Sequence, residues 1–175
     1  IGEFDSILSG EQTHPPYDNP AYIEYVKLNN SRMHRWLKRG ELIDVMKTKL
    51  DQIQDDQEWI LITEPWCGDA AHITPFIQMM SEYSTKIDLK IQLRDGNESE
   101  IENYLTNGGK SIPKLIVRDK TGKDIFTWGP RPDGATQMVM QQKSSDKSNE
   151  EKKAELQMWY NQDKGQSIQQ EIADL

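Results

Sequence analysis

The chain reads as an α/β domain with a central mixed four-stranded sheet flanked by helices, and with extra helices at both termini. Three observations predict this. From Trp59 onward, short apolar runs alternate with helix-periodic ones, the pattern of a β-α-β unit. Asp119-Lys120-Thr121-Gly122 lies between two of the apolar runs and is turn chemistry, so those strands pair as a hairpin. Outside this stretch, towards either end of the chain, the apolar spacing becomes helical, which adds helices to an α/β core.

Each element follows in order. Residues 1–18 hold Pro15-Pro16 and little periodicity, so they read as an extended arm. Residues 19–54 form an N-terminal helical extension. Asn19 caps its first helix and Pro20 occupies the first turn, where a missing N–H costs nothing. Ile23, Val26, Met33, Trp36 and Leu37 share one face of that helix, and Gly40 ends it. Leu42, Met46, Leu50 and Ile53 stripe a second helix. Residues 55–142 form the α/β core: strand 59–63, helix 68–84, strand 87–94, helix 98–106, strands 113–118 and 124–128, then a helix from about 133. Asn97 and Glu100 have capping-box spacing for the 98–106 helix, which Gly108-Gly109 would stop. Residues 143–175 form a C-terminal helical extension. Its polar start, up to Lys153, reads as exposed loop or helix extension. Leu156, Trp159 and Tyr160 then stripe a helix ended by Lys164-Gly165, and Ile168 and Ile172 mark one more. All of it forms one compact domain.

Composition narrows the function classes. The 175 residues are 35% hydrophobic and 29% charged, with a formal net charge of −8. That charge repels nucleic acid and anionic lipid alike, so neither is an expected partner. No run approaches the roughly 18 apolar residues of a membrane span. One cysteine forbids an intrachain disulfide, and a lone thiol offers nothing to an oxidising space, so the expected compartment is the cytoplasm.

That cysteine is the most informative residue. Trp66-Cys67-Gly68-Asp69-Ala70 follows a strand-like run and opens a helix containing Pro75, which is how thiol–disulfide exchange proteins present a nucleophile. A thiol at a helix N-terminus gains from free N–H groups and the dipole, roughly 0.3–1 kcal/mol. Asp69 in the same turn opposes the thiolate by a similar amount, so only modest activation is expected.

These residues resemble the thioredoxin superfamily. Trp66-Cys67-Gly68 matches the start of its W-C-G-P-C motif, Pro75 its helix-kinking proline, and Ser111-Ile112-Pro113 with Lys114-Leu115-Ile116-Val117 its cis-proline loop and following strand. The motif E-x-W-C-G-D-A with a later Gly129-Pro130-Arg131-Pro132 resembles bacterial thioredoxin family proteins in particular. The resemblance implies a thioredoxin-like fold over about residues 55–142, with Cys67 as nucleophile within the Trp66, Gly68, Asp69, Ala70 motif. It also implies a substrate edge that gathers Ile112, Pro113, Lys114, Arg94 and Arg131. Two departures matter. Ala70 stands where the resolving cysteine belongs, and Leu61 where the family has a buried aspartate. Dithiol turnover is therefore not expected.

Two functions remain open from sequence. One is monothiol thiol–disulfide exchange at Cys67 with protein or small-molecule thiols and disulfides, resolved by an external thiol such as glutathione. No other cofactor and no metal is implied. The other is a non-catalytic binding module that holds an extended peptide along the same edge. Plainer roles compete at single residues. Cys67 could be a small buried hydrophobe, and Arg94, Lys114 and Arg131 solvated surface charges. His72, five residues past Cys67, points about 140° round the helix and away from the thiol. His14 and His34 read as surface, Trp36, Trp59 and Trp159 as packing, and Trp66 as a lid beside the thiol. Asp133 reads as the cap of the last core helix.

Overall fold

A computed structural model describes residues 2–11 and 15–175, with Glu3 by its backbone alone. His14 lies outside these residues. The sheet runs β2-β1-β3-β4, with β1 at Gln57–Thr63, β2 at Ile87–Leu93, β3 at Lys114–Asp119 and β4 at Asp124–Trp128. β1 and β2 are parallel, in a register that pairs Leu61 with Ile91, while β3 is antiparallel to both β1 and β4. The β3–β4 turn closes as its sequence predicts. The Asp119 carboxylate accepts from the amides of Thr121 and Lys123 at 2.8 and 3.1 Å, and Gly122 takes a φ of +82°.

Alternate side chains of the sheet feed two cores. Trp59, Leu61, Leu115 and Val117 pack on one face against α4 (Ala70–Tyr83), α3 (Asp44–Asp51) and α7 (Gln166–Ala173). Ile60, Ile62 and Ile116 pack on the other against Ile101, Ile112, Ala70 and Cys67. The helix α2 (Pro20–Arg39) starts as predicted. Asn19 Oδ1 accepts the Ala21 amide at 3.0 Å and Pro20 sits in the first turn. It buries Val26, Asn29, Met33 and Trp36 and ends at Gly40. A Cβ at Gly40 would come within 2.7 Å of the Trp36 carbonyl oxygen, so only glycine lets the chain leave so close to the helix. The remaining helices are α5 (Asp133–Gln142) and α6 (Asn149–Asp163).

Three expectations change. Residues 2–8 form a short helix, α1 (Gly2–Leu8), instead of extended chain. Its Phe4 and Ile7 bury against Val26 and Met33 of α2, a tertiary contact that overrides weak local pattern. The expected 98–106 helix is only a 3-10 turn at Ile101–Asn103. Glu100 does not cap back to Asn97. Its amide donates to Gln92 Oε1 at 3.1 Å, and its carboxylate is held by Arg118 and Gln92. Asn107 and Gly108, at φ +52° and +77°, form a tight turn bridged from Thr106 to Gly109, where a helix stop was expected. The stretch up to Lys153, expected as loop or helix extension, becomes helical from Asn149, where Ser148 and Glu151 form a reciprocal capping box. Finally, Pro132 precedes α5 and Asp133 is its first residue, with no side-chain cap bond. The Asp133 amide is satisfied by Glu171 Oε1 at 2.8 Å.

Candidate functional site

The chain leaves β1 through Glu64-Pro65 and turns at Trp66-Cys67-Gly68 into α4. Two buried polar residues hold that turn. Asn29 of α2 donates to the Pro65 carbonyl at 2.9 Å. The Glu64 carboxylate, 4% exposed, accepts from the Tyr17 hydroxyl at 2.7 Å and the Asp95 amide at 3.1 Å. Glu64 thus ties the N-terminal segment and the loop after β2 to the base of the turn. Glu64 opens the E-x-W-C-G-D-A motif, but its role was not legible there, because its partners lie 47 and 31 residues away.

Cys67 is 7% exposed, and its Sγ lies 3.6 Å from the Ile112 carbonyl oxygen. The Ile112–Pro113 peptide is cis, as are Gly129–Pro130 and Pro15–Pro16. The first two stack on one another: a Cβ at Gly129, whose φ is +114°, would stand 2.3 Å from the Pro113 carbonyl oxygen. The Gly129-Pro130-Arg131 loop is thereby laid against the loop that faces the thiol.

The thiol is not activated. Burial first, and the Asp69 carboxylate second, push it up to about 12. The amides of Ala70 and Asp69 at the helix start and the charge of Arg131 oppose this without prevailing. The modest activation expected from the motif is therefore reversed, because the helix-terminus gain is smaller than the loss of water around the sulfur.

Asp69, 8% exposed, is held twice from outside the motif. Arg131 pairs with its Oδ2 at 2.7 Å, and the Tyr160 hydroxyl of α6 donates to its Oδ1 at 2.8 Å. Tyr160 stacks on His72 with ring centroids 4.6 Å apart. His72 is buried and held down at about 4, mainly by desolvation. It accepts from the Trp36 indole at 2.9 Å and meets Gln157 Oε1 at 2.6 Å. His72 is thus a structural hinge between α2, α4 and α6, consistent with its direction away from the thiol.

A cleft of about 750 Å³ opens beside Cys67, walled by α2, the Trp66–Asp69 turn, the 110–112 and 130–131 loops, and α6. That volume falls within the range of small-ligand sites. Of the predicted residues, Trp66, Cys67, Gly68, Asp69, Ile112, Arg94 and Arg131 line it. Trp66 is half-buried, edge-on to Tyr22 at 6.0 Å, with the Arg94 guanidinium 4.8 Å above its ring. Pro113 and Lys114 do not line the cleft. Lys114 is buried, its Nζ 3.4 Å from the Gly129 carbonyl oxygen, and burial lowers its pKa. Ala70 faces a smaller cavity of about 320 Å³ on the far side of Cys67. Leu61 is fully buried among apolar neighbours, with no carboxylate in its place. Gln157 and Arg32, which line the cleft, and Tyr160, which holds Asp69, were not legible as site residues, since they come from the flanking extensions. Among the described residues, no three His, Cys, Asp or Glu side chains gather as metal ligands, and no helix is long and apolar enough to cross a membrane.

The sheet order, the cysteine turn and the cis-proline loop facing it define a thioredoxin-like domain. A family model described as Thioredoxin matches residues 17–155, and the chain belongs to that family. Among solved structures, the chain is similar to the crystal structure of an HIV epitope-scaffold. The two share 15% identity at a TM-score of 0.61, over 86% of this chain and 88% of that one. It is also similar to a protein of unknown function from Pseudomonas aeruginosa, at 14% identity and a TM-score of 0.55, over 79% of this chain and 87% of that one. At these identities the likeness speaks for the fold alone. No curated protein matches the chain.

Proposed function

We propose that this chain is a thioredoxin-fold binding module that holds an extended ligand in the cleft along the Cys67–Ile112 edge. Cys67 then serves as part of the cleft floor. The observation that carries this reading is the state of the thiol. At about 12 against an ordinary 9.0, its thiolate fraction near neutral pH falls about a thousandfold, and the thiolate is the reactive form. Ala70 adds that no resolving sulfur follows. One observation favours the other reading, monothiol exchange with an external thiol: the Asp69 and Ala70 amides at the start of α4 act to lower the thiol pKa.

Incubation with oxidised glutathione, followed by intact mass over about pH 6–9, separates the two. The binding module predicts no adduct at Cys67 and unchanged ligand binding by Cys67→Ser. A mixed disulfide formed as fast as on a free cysteine would overturn it in favour of monothiol exchange.

A further inference from the structure

Three cations of the cleft are already matched. Arg94 pairs with Asp95 at 2.6 Å, Arg131 with Asp69 at 2.7 Å, and Lys110 with Glu102. Arg32 is different. It reaches the cleft half-buried from α2, and its Nη1 donates to the Asn29 side-chain oxygen at 3.0 Å. Among the described residues no carboxylate lies within ion-pair distance of it.

Across Gly68 from Arg32 stands Gln157 of α6. The Trp36 indole N–H donates to His72 Nδ1, so the proton of the neutral ring sits on Nε2 and is donated to Gln157 Oε1. That bond occupies the Gln157 oxygen and turns its NH2 group toward the cleft. A Cβ on Gly68 would lie 3.6 Å from Gln157 Nε2 and 3.9 Å from Arg32 Nη1. A guanidinium and a carboxamide NH2 therefore converge over a residue without a side chain, beside Cys67. Both are donors, on a chain whose net charge is −8.

We propose that Arg32 and the Gln157 amide, meeting over Gly68, form a carboxylate subsite, so that the ligand of the cleft is an acidic peptide or peptide-like molecule. The inference rests on the reading of the cleft as a ligand site. One arm of the Arg32 fork is tied to Asn29. Nη1, the nitrogen nearest Gly68, gives one of its two N–H groups to Asn29. Its second N–H and the Gln157 NH2 then offer one donor to each carboxylate oxygen. Lys153, the other cation of the cleft with no carboxylate partner among the described residues, is held over the Tyr25 ring and donates to its hydroxyl at 3.0 Å. An anion at Gly68 therefore meets one guanidinium and one neutral amide, which suits a monoanionic carboxylate better than a dianionic phosphate.

The test is calorimetric titration of S-methylated γ-glutamyl-cysteinyl-glycine, whose blocked sulfur cannot exchange, and of its diethyl ester. Wild type is compared with Arg32→Gln, which retains an N–H for Asn29, and with Gly68→Ala, whose methyl meets its neighbours at ordinary contact distance. The acid is expected to bind, and the diester or either variant to weaken binding at least about tenfold. If acid and diester bind alike and Arg32→Gln changes nothing, the subsite is wrong while the cleft stands. If neither form binds wild type at up to about 10 mM, subsite and cleft reading fall together. Inorganic phosphate displacing the tripeptide more strongly than acetate would overturn the carboxylate assignment.

Discussion

Asp69→Asn tests whether the electrostatics around Cys67 are as described. The thiol stands about 3 pH units above its ordinary value, which separates its protonation states by about 4 kcal/mol. Burial is the larger cause and Asp69 the next. Removing the carboxylate charge should therefore bring the thiol down by about one pH unit and leave it still raised. The assay is alkylation by iodoacetamide followed by intact mass between about pH 7 and 10. In wild type the rate should climb about tenfold per pH unit with no plateau. Asp69→Asn should run about tenfold faster throughout. The same substitution leaves Arg131 without its partner, so loosening of the site could also speed alkylation. Arg131→Gln separates the two effects, because it removes a charge that lowers the thiol. It should slow the reaction, whereas loosening would accelerate both variants. A wild-type plateau near the ordinary 9.0, or acceleration by both substitutions, would refute the reasoning.

Three further outcomes follow from the same geometry. His72 is held at about 4 against an ordinary 6.5. Its contribution is therefore fully present above pH 6.5 and lost as pH falls towards 4, about 3 kcal/mol in all. His72→Gln should flatten that part of the acid-stability profile measured by urea unfolding. Tyr160→Phe keeps the stack on His72 and removes the hydroxyl that Asp69 accepts. It should cost about 1.5–3 kcal/mol in chemical denaturation, and an unchanged midpoint would discount the link from α6 to the site. Gly129→Ala places a methyl 2.3 Å from the Pro113 carbonyl oxygen at a φ of +114°, so it should lower the melting temperature by several degrees and disturb the Ile112 side of the cleft.

Much of the fold was legible because its signals are local. Asn19-Pro20, the Asp119–Gly122 turn, Lys164-Gly165 and the strand periods each act within a few residues, and each forms where its pattern predicts. Local reasoning failed where distant side chains competed for the same backbone. Gln92 and Arg118 claim Glu100 and leave the 98–106 segment without its cap. The helix at Gly2–Leu8 exists because Phe4 and Ile7 find α2.

The site divides in the same way. Sequence alone determined that there is one thiol, that it sits on a strand–helix turn, and that no resolving cysteine follows it. The facing cis-proline loop and the missing carboxylate at Leu61 came through the resemblance to thioredoxins. Those statements concern which atoms exist and how nearby residues bend the chain. Only the tertiary structure decided that the thiol is buried and raised, that Asp69 answers to Arg131 and Tyr160, and that Arg32 and Gln157 close over Gly68. Desolvation and ion pairing depend on what distant segments bring to the same few ångströms. Here Tyr160, Arg32 and Gln157 come from the helical extensions, while Arg131 and Ile112 come from loops of the core.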